Sequence, residues 1–263
     1  MVDLLDRART AVTDRAELPG MSLMEHLEEL RKRILRSLGF LVVGMAVAYF
    51  FHVRLYGIVK APLDHLGIAL NFTHPTDPLN LYLKTALYGG ALLAAPFILY
   101  QVWLFISPGL YGHEKRYVVP FMSATVGLFM AGAWFGYHYV FPGALKVLIT
   151  DFGKDFHPII TIEEYTGFFL AVNLGLGLTF ELPVLIFFLA LFGIVDAAFL
   201  WRNVRYAIII IFLIAGIICP SPDPISMCIF AMPMLVLFFI SILVAYLVHP
   251  KRRETKRLKE EAK

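Results

Sequence analysis

The sequence predicts an all-α, polytopic membrane protein with six transmembrane helices. Of its 263 residues, 59% are hydrophobic and only 16% are charged, whereas about a quarter of the residues in a soluble domain are charged. The apolar residues occur in long runs separated by polar turns, as expected of helices that cross a bilayer. The first apolar run begins only after Arg33, which is too late for a cleaved signal peptide.

The first helix is predicted to begin near Ser22 and to cross the membrane over residues 34–53. Ser22 and Glu25 have the spacing of a capping box. Apolar residues then recur at helical spacing, which favours an amphipathic start at the membrane surface. We expect residues 1–21 to form a mobile cytoplasmic tail ahead of this helix.

The other elements follow from the remaining apolar runs and their breaks. A short interfacial helix is expected after the first span, because Leu55, Val59 and Leu63 share one side. Prolines in the segment PSPDP at 220–224 separate the last two spans. The fifth span reaches about 24 Å of the roughly 30 Å hydrocarbon core. It is predicted to be short, and the sixth is a second candidate for a short helix. The five later spans are predicted at residues 79–106, 117–141, 165–192, 204–219 and 225–248.

The distribution of positive charge predicts the orientation in the membrane. Six spans place both ends of the chain on one side, and lysine and arginine are concentrated in cytoplasmic segments. The side of the termini carries 18 of these residues and the other side carries 4, with Lys84 inside a span. We therefore expect cytoplasmic termini, a single transmembrane domain over residues 22–249 and a charged cytoplasmic tail over residues 250–263.

The motifs that would indicate catalysis are absent from the sequence. It contains no phosphate-binding P-loop, no zinc-binding His-Glu-x-x-His and no nucleophile elbow. Cys219 and Cys228 have no metal or redox spacing, and we interpret them as buried apolar side chains. We therefore expect no enzymatic activity, no cofactor and no metal site. Channels, transporters, receptors and translocase components remain as function classes.

Glu181 requires an explanation, because it lies near the middle of the fourth predicted span. A carboxylate at that depth costs about 3 kcal/mol or more unless it is protonated or paired. Pro183 follows closely and frees a backbone carbonyl one turn earlier. One hypothesis is a bridge within the chain, with Lys84 as the partner. The other is a functional role, either docking a polar group of a partner helix or carrying a proton.

Acidic residues precede a basic cluster at the start of the first helix. Glu28 lies one turn before Lys32, and support of the helix by this ion pair is the favoured interpretation of Glu28. Glu29 lies one turn before Arg33 and can form the same kind of pair. Glu29 and Glu114 are both predicted on the cytoplasmic face, where two carboxylates would suit the planar fork of an arginine. Taken alone, Glu114 can also be a solvated turn residue.

Five segments together resemble the TatC family, the polytopic core of the twin-arginine protein translocase. In chain order they are HLEELRKRI, APL at 61–63, YQVWLFISPGLYGHEKR, FELP at 180–183 and PDPIS. The resemblance implies a multi-pass protein of the bacterial cytoplasmic (inner) membrane that is not an enzyme. It further implies recognition of twin-arginine signal peptides on folded proteins and transport driven by the proton-motive force. The implied partners are the single-span subunits TatA and TatB, with self-association in a multimeric complex.

The resemblance also implies roles for individual residues. The signal-peptide residues would be Glu29, Arg31, Phe105 and Glu114, the partner-helix residue Glu181, and the functional outer-side positions Pro62 and Asp223. From the residues alone, Asp223 is explained as a turn or cap residue beside prolines. The chain departs from the family at PSPDPISM, where Pro220 and Met227 occupy positions that are commonly polar.

Two other hypotheses for the function remain open. A proton-coupled secondary transporter could use Glu181 as its proton carrier, although we find no two symmetric halves of the kind expected in such transporters. A membrane scaffold without a ligand site is also compatible with the composition. It would leave the shared cytoplasmic face of Glu29 and Glu114 unexplained.

Overall fold

The protein is a bundle of long helices with two short strands on one side. The computed structural model describes residues 23–106, 118–191, 193–219 and 223–248. The helices are α1 (Leu23–Phe50), α2 (His52–Asp64), α3 (Asp77–Ile106), α4 (Val118–Phe135), α5 (Phe141–Leu145), α6 (Ile162–Thr179), α7 (Leu182–Leu191), α8 (Ala197–Arg202), α9 (Val204–Ile218) and α10 (Pro224–Val248). The predicted all-α fold class is confirmed.

The predicted spans correspond to these helices. Within the described residues, four stretches are long and apolar enough to cross a membrane: Met24–Phe50, Asp77–Ile106, Ile162–Leu191 and Pro224–Val248. The apolar helices α4 and α9 supply the third and fifth spans. With 15 residues α9 is short, as expected, whereas α10 has 25 residues and is of full length.

The third span extends beyond its predicted end. Two π-helical segments, Gly136–Val140 and Lys146–Asp151, flank α5 and continue the helix to Asp151, whereas a loop was expected after residue 141. Pro142 does not end the helix, although a proline inside a helix has no N–H to donate. It follows the π-helical segment Gly136–Val140, an irregular turn of the kind that occurs within α-helices. Phe141 and Ala144 are fully buried, so packing stabilises the extension.

The fourth span, predicted over residues 165–192, is interrupted close to Pro183. A tight turn at Phe180 and Glu181 separates α6 from α7. The N–H of Glu181 donates to the carbonyl of Leu178 at 3.1 Å, three residues earlier. Pro183 then follows within the first turn of α7 and supplies no donor. Glu181 therefore lies in a break within the membrane-spanning stretch.

Two segments that connect the spans pack onto one end of the bundle. Strands β1 (Leu70–Asn71) and β2 (Ile160–Thr161) pair in parallel, with Leu70 opposite Ile160. A helix, α2, is present where a short helix was predicted after the first span. Two tyrosine hydroxyls hold it in place, because Tyr165 donates to the carbonyl of Val59 at 2.6 Å and Tyr137 donates to that of Ile58 at 2.9 Å.

The main core lies between α2, α3, α5, α6, α9 and α10. Its centre is Phe169 of α6, which makes edge-on ring contacts with Tyr88 at 5.0 Å and Phe141 at 5.1 Å. Cys219 is buried in this core, as predicted. The prediction is wrong for Cys228, which is exposed on α10, because an apolar side chain of a membrane helix can equally face lipid.

Helices α1 and α3 approach each other closely through glycine. A Cβ atom at Gly90 of α3 would lie 2.5 Å from the backbone nitrogen of Met45, and one at Gly44 of α1 would lie 2.6 Å from the carbonyl oxygen of Gly90. Small residues allow membrane helices to pack in this way, where dispersion contacts replace the hydrophobic effect. The contact fixes α1, which carries Glu29, against α3, which carries Gln101.

Replacing Gly90 by alanine is expected to destabilise the protein by about 2 kcal/mol, because the new methyl group collides with backbone atoms that cannot rotate away. The midpoint of thermal unfolding in detergent should fall by about 5 °C. Gly39→Ala on α1 is the matched control, since its Cβ would meet nothing within 4 Å. Equal midpoints for the two variants would show that the close approach of α1 and α3 is not needed.

Candidate functional site

Glu29 lies on α1 and is paired with Arg33 one turn later. The Nη2 atom of Arg33 is 3.0 Å from Oε1 of Glu29, and the two side chains are only 19% and 18% exposed. A second guanidinium nitrogen, Nη1, donates to the Oε1 atom of Gln101 on α3 at 3.2 Å. The helix-supporting pair expected for Glu29 is therefore present, and it is also tied to a neighbouring helix.

The pair of Glu29 and Arg33 leaves hydrogen-bonding capacity unused. Oε2 of Glu29 and Nε of Arg33 are buried and have no hydrogen-bond partner among the described residues. Buried polar atoms are nearly always paired, so each exception in a folded protein calls for an explanation. A ligand that donates hydrogen bonds to a carboxylate would provide one for Glu29.

Glu28 differs from its neighbour in its surroundings. It pairs with Lys32 at 2.8 Å, and both side chains are more than 60% exposed. The helix-supporting ion pair predicted for Glu28 is thereby confirmed. Arg31 is exposed on the same helix. Glu114 lies outside the described residues.

Phe105 lies one turn after Gln101 on α3 and contacts the first turns of α1. Its ring stacks on His26 at a centroid distance of 4.4 Å and an angle of 22°. The structure thus brings Phe105 to the turn of α1 that precedes Glu29. No pattern in the sequence singles out His26 or Gln101. For Gln101 the available signal is an amide inside an otherwise apolar stretch.

Two open cavities meet at Arg33. The first, of about 330 Å³, is lined by charged side chains of α1 that include Glu29 and Arg36. The second, of about 480 Å³, is an apolar groove between α1 and α3 with Ile34 and Phe105 among its walls. A segment that combined positive charge with apolar residues could therefore contact both.

Glu181 is half-buried in the break between α6 and α7, and its Oε1 atom is buried without a hydrogen-bond partner among the described residues. The suggested bridge to Lys84 is wrong, because Lys84 lies 3.9 Å from Glu163 instead. Glu163 and Glu181 are separated by the length of α6, 18 residues, or about 27 Å at 1.5 Å per residue. Lys84 and Glu181 therefore lie at different depths of the bundle.

Pro62 and Asp223 both occupy structural positions, in α2 and directly before α10. Pro62 is buried in α2, next to an ion pair in which the hydrogen bond from Lys60 to Asp64 raises the pKa of Lys60. Asp223 begins α10, where its Oδ2 atom accepts the N–H of Ser226 at 2.7 Å. This is N-cap geometry, so the expected turn or cap role of Asp223 is confirmed.

One group of side chains could hold a metal ion. His74, Asp77 and Glu163 offer ligand atoms within 4.8 Å of one another. Internal partners explain the two carboxylates, however. Asp77 accepts the backbone N–H groups of Thr73 and His74 at 2.8 and 2.9 Å, and Glu163 has the ammonium group of Lys84 beside it.

Comparisons with known proteins agree on one family. The family model described as "Sec-independent protein translocase protein (TatC)" matches residues 25–233. A TatC protein of Koribacter versatilis is 49% identical over 98% of this chain and 97% of its own length. A TatC protein of Carboxydothermus hydrogenoformans is 36% identical over 90% and 98%.

The fold is also similar to that of a protein of known structure. A crystal structure described as "Twin Arginine Translocase Receptor- TatC" matches with a TM-score of 0.77 and 35% identity, covering 85% of this chain and 99% of the other. A second structure of that receptor, obtained in the detergent DDM, matches with a TM-score of 0.78. These similarities give no support to the alternative of a proton-coupled solute transporter.

Proposed function

The chain belongs to the TatC family of Sec-independent protein translocase proteins, and on this premise we propose that it is the receptor for twin-arginine signal peptides in its translocase. The observation that carries the proposal is the burial and incomplete hydrogen bonding of the Glu29 carboxylate. Its carboxylate is largely buried, one oxygen is paired with Arg33, and the second has no partner among the described residues. A guanidinium group is the side chain best suited to such an acceptor.

We propose that Glu29 and Glu114 bind the paired arginines and that Arg31 and Phe105 belong to the same site. The stacking of His26 on Phe105 supports a common location, since it joins α3 to the turn of α1 that precedes Glu29. For Glu114 the support is its position in the HEK turn that resembles the family motif.

On the membrane side, we propose that Glu181 docks a polar group of a partner helix. The partners would be the single-span subunits TatA and TatB, and further copies of this chain in a multimeric receptor. The half-buried carboxylate in the helix break supports this role. Pro62 and Asp223 would act from the outer side by shaping α2 and the start of α10. The chain would export folded proteins at the expense of the proton-motive force, without catalysis of its own.

This multi-pass membrane protein is proposed to reside in the bacterial cytoplasmic membrane with both termini in the cytoplasm. The support is the concentration of lysine and arginine, 18 against 4, on the side of the termini. Residues 22–249 would form the transmembrane domain, with residues 1–21 and 250–263 as cytoplasmic tails.

The proposal predicts tighter binding of an Arg-Arg signal peptide than of a Lys-Lys version, by about tenfold or more, because only arginine can pair with a carboxylate through two parallel hydrogen bonds. The affinities would be measured with fluorescent peptides and the purified protein in lipid nanodiscs. Binding to inverted membrane vesicles but not to right-side-out vesicles would test the orientation as well.

Equal binding of the two peptides would contradict the receptor role, as would binding only to right-side-out vesicles. A peptide with the arginine pair moved to its far end is the matched control. It keeps the net charge, so it separates recognition of the arginine pair from attraction by the acidic residues.

A further inference from the structure

Gln101 and Glu29 bind two different nitrogens of the Arg33 guanidinium group. Nη1 donates to Gln101 at 3.2 Å and Nη2 donates to Glu29 at 3.0 Å. Glu29 and Arg33 belong to α1, whereas Gln101 belongs to α3 and is only 6% exposed. The direction of the guanidinium plane is therefore set from a neighbouring helix and not by α1 alone.

In this arrangement only one of the two carboxylate oxygens of Glu29 accepts a hydrogen bond from Arg33. An arginine and a carboxylate commonly pair through two parallel hydrogen bonds. Such a pairing uses either Nη1 with Nη2 or Nε with Nη2. Gln101 holds Nη1, and Nε has no hydrogen-bond partner among the described residues. In the observed orientation of the guanidinium plane neither version forms, since Nη2 alone contacts Glu29, at Oε1, and Oε2 has no hydrogen-bond partner among the described residues.

We propose that Gln101 is a positioning residue that sets the specificity of the signal-peptide site. By holding Nη1 of Arg33, it fixes the guanidinium plane in the orientation in which only Nη2 meets Glu29, so Oε2 keeps its capacity to accept a hydrogen bond from an arginine of the peptide. The inference rests on the proposed receptor function. It deepens that function, because it makes discrimination between arginine and lysine depend on an amide that acts through Arg33.

Removing the amide of Gln101 should allow Arg33 to occupy the acceptor that the peptide needs. In Gln101→Leu, Arg33 is free to pair with both oxygens of Glu29, and the peptide must displace it. The affinity for an Arg-Arg peptide is expected to fall about tenfold, the scale of one hydrogen bond to a charged group. The affinity for a Lys-Lys peptide should change less, so the preference for arginine falls. Gln101→Glu retains an acceptor oxygen and is expected to restore the preference.

Arg33→Lys breaks the same contact from the other side while keeping the positive charge. Lysine has no planar fork, so it cannot bind Gln101 and Glu29 in the same geometry. A lysine at this position cannot occupy both oxygens of Glu29 through two parallel hydrogen bonds, so in the Arg33→Lys background Gln101→Leu should no longer lower the preference for arginine. Gln101→Ala removes the same acceptor and carries the test if Gln101→Leu does not fold.

Thr85→Val is the matched control on the same helix. Thr85 is also buried and donates one hydrogen bond, to the carbonyl of Leu81 at 2.7 Å, but it lies 16 residues from Gln101. It should leave both peptide affinities unchanged. Thermal unfolding of every variant would show whether a lost preference reflects a lost fold.

The outcomes distinguish this inference from the function on which it rests. If the unmodified protein binds both peptides equally, or if Glu29→Ala binds as the unmodified protein does, the receptor function fails. If the unmodified protein prefers arginine through Glu29 but Gln101→Leu keeps that preference, the positioning role is overturned. Failure of Gln101→Glu to restore the preference, or additive losses in the double variant, would overturn it too.

Discussion

Replacing Glu29 by alanine is expected to weaken binding of an Arg-Arg signal peptide by about 100-fold and to abolish its preference over a Lys-Lys peptide. The peptide loses its carboxylate acceptor, and Arg33 loses its counter-charge. Removing one partner of a buried, hydrogen-bonded charge pair between two molecules costs about 2–5 kcal/mol of binding free energy, and each 1.4 kcal/mol is a factor of about ten in affinity. We take the lower end, because the pair of Glu29 and Arg33 is 18–19% exposed. Equilibrium binding in nanodiscs would measure the effect.

Glu28→Ala is the control for this variant. It removes the same charge from the same helix at the preceding position, but Glu28 is 63% exposed and pairs with the equally exposed Lys32. Water and salt screen such a pair, so the change in affinity should stay within about threefold. Similar losses in both variants would mean that the site responds to net negative charge, and the geometry around Glu29 would then be irrelevant to recognition.

The helices were predicted well because the signals for each span lie within the span or directly beside it in the sequence. Apolar runs mark α1, α3 and α10, and the prolines at 220–224 separate the last two spans. The extension of the third span to Asp151 was not predictable in this way. It depends on Phe141 and Ala144 packing against other helices, which keeps the helix continuous past Pro142. The pairing of β1 with β2 joins residues 90 positions apart and has no local pattern.

The candidate site shows the same division between local and distant contacts. The pair of Glu29 and Arg33 follows from a spacing of four residues. The contact of Arg33 with Gln101 spans 68 positions, and only the packing of α1 on α3 reveals it. The bridge of Glu181 to Lys84 failed for a related reason. Both are polar residues within predicted spans, but composition does not record the depth at which each lies.

Glu181 places a carboxylate in a break within a membrane-spanning stretch. Its Oε1 atom is buried without a hydrogen-bond partner among the described residues, and a carboxylate inside a membrane helix costs about 2.5–3.5 kcal/mol. The helix break and Pro183 add backbone groups that an uninterrupted helix would have satisfied. Groups that lower the stability of an isolated protein concentrate at functional sites. We therefore expect a partner helix to supply the hydrogen bond that the Glu181 carboxylate lacks.

Replacing Glu181 by leucine should therefore raise the thermal stability of the isolated protein and reduce export at least about tenfold. Leucine removes the unpaired carboxylate and favours the hydrocarbon, whereas a partner helix would lose its polar contact. Unfolding in detergent and export of a folded substrate into inverted vesicles would measure the two effects. Glu181→Gln keeps a hydrogen-bonding group and should retain part of the export. A joint loss of stability and export in Glu181→Leu would instead assign Glu181 to the fold, and unchanged export would remove it from partner docking.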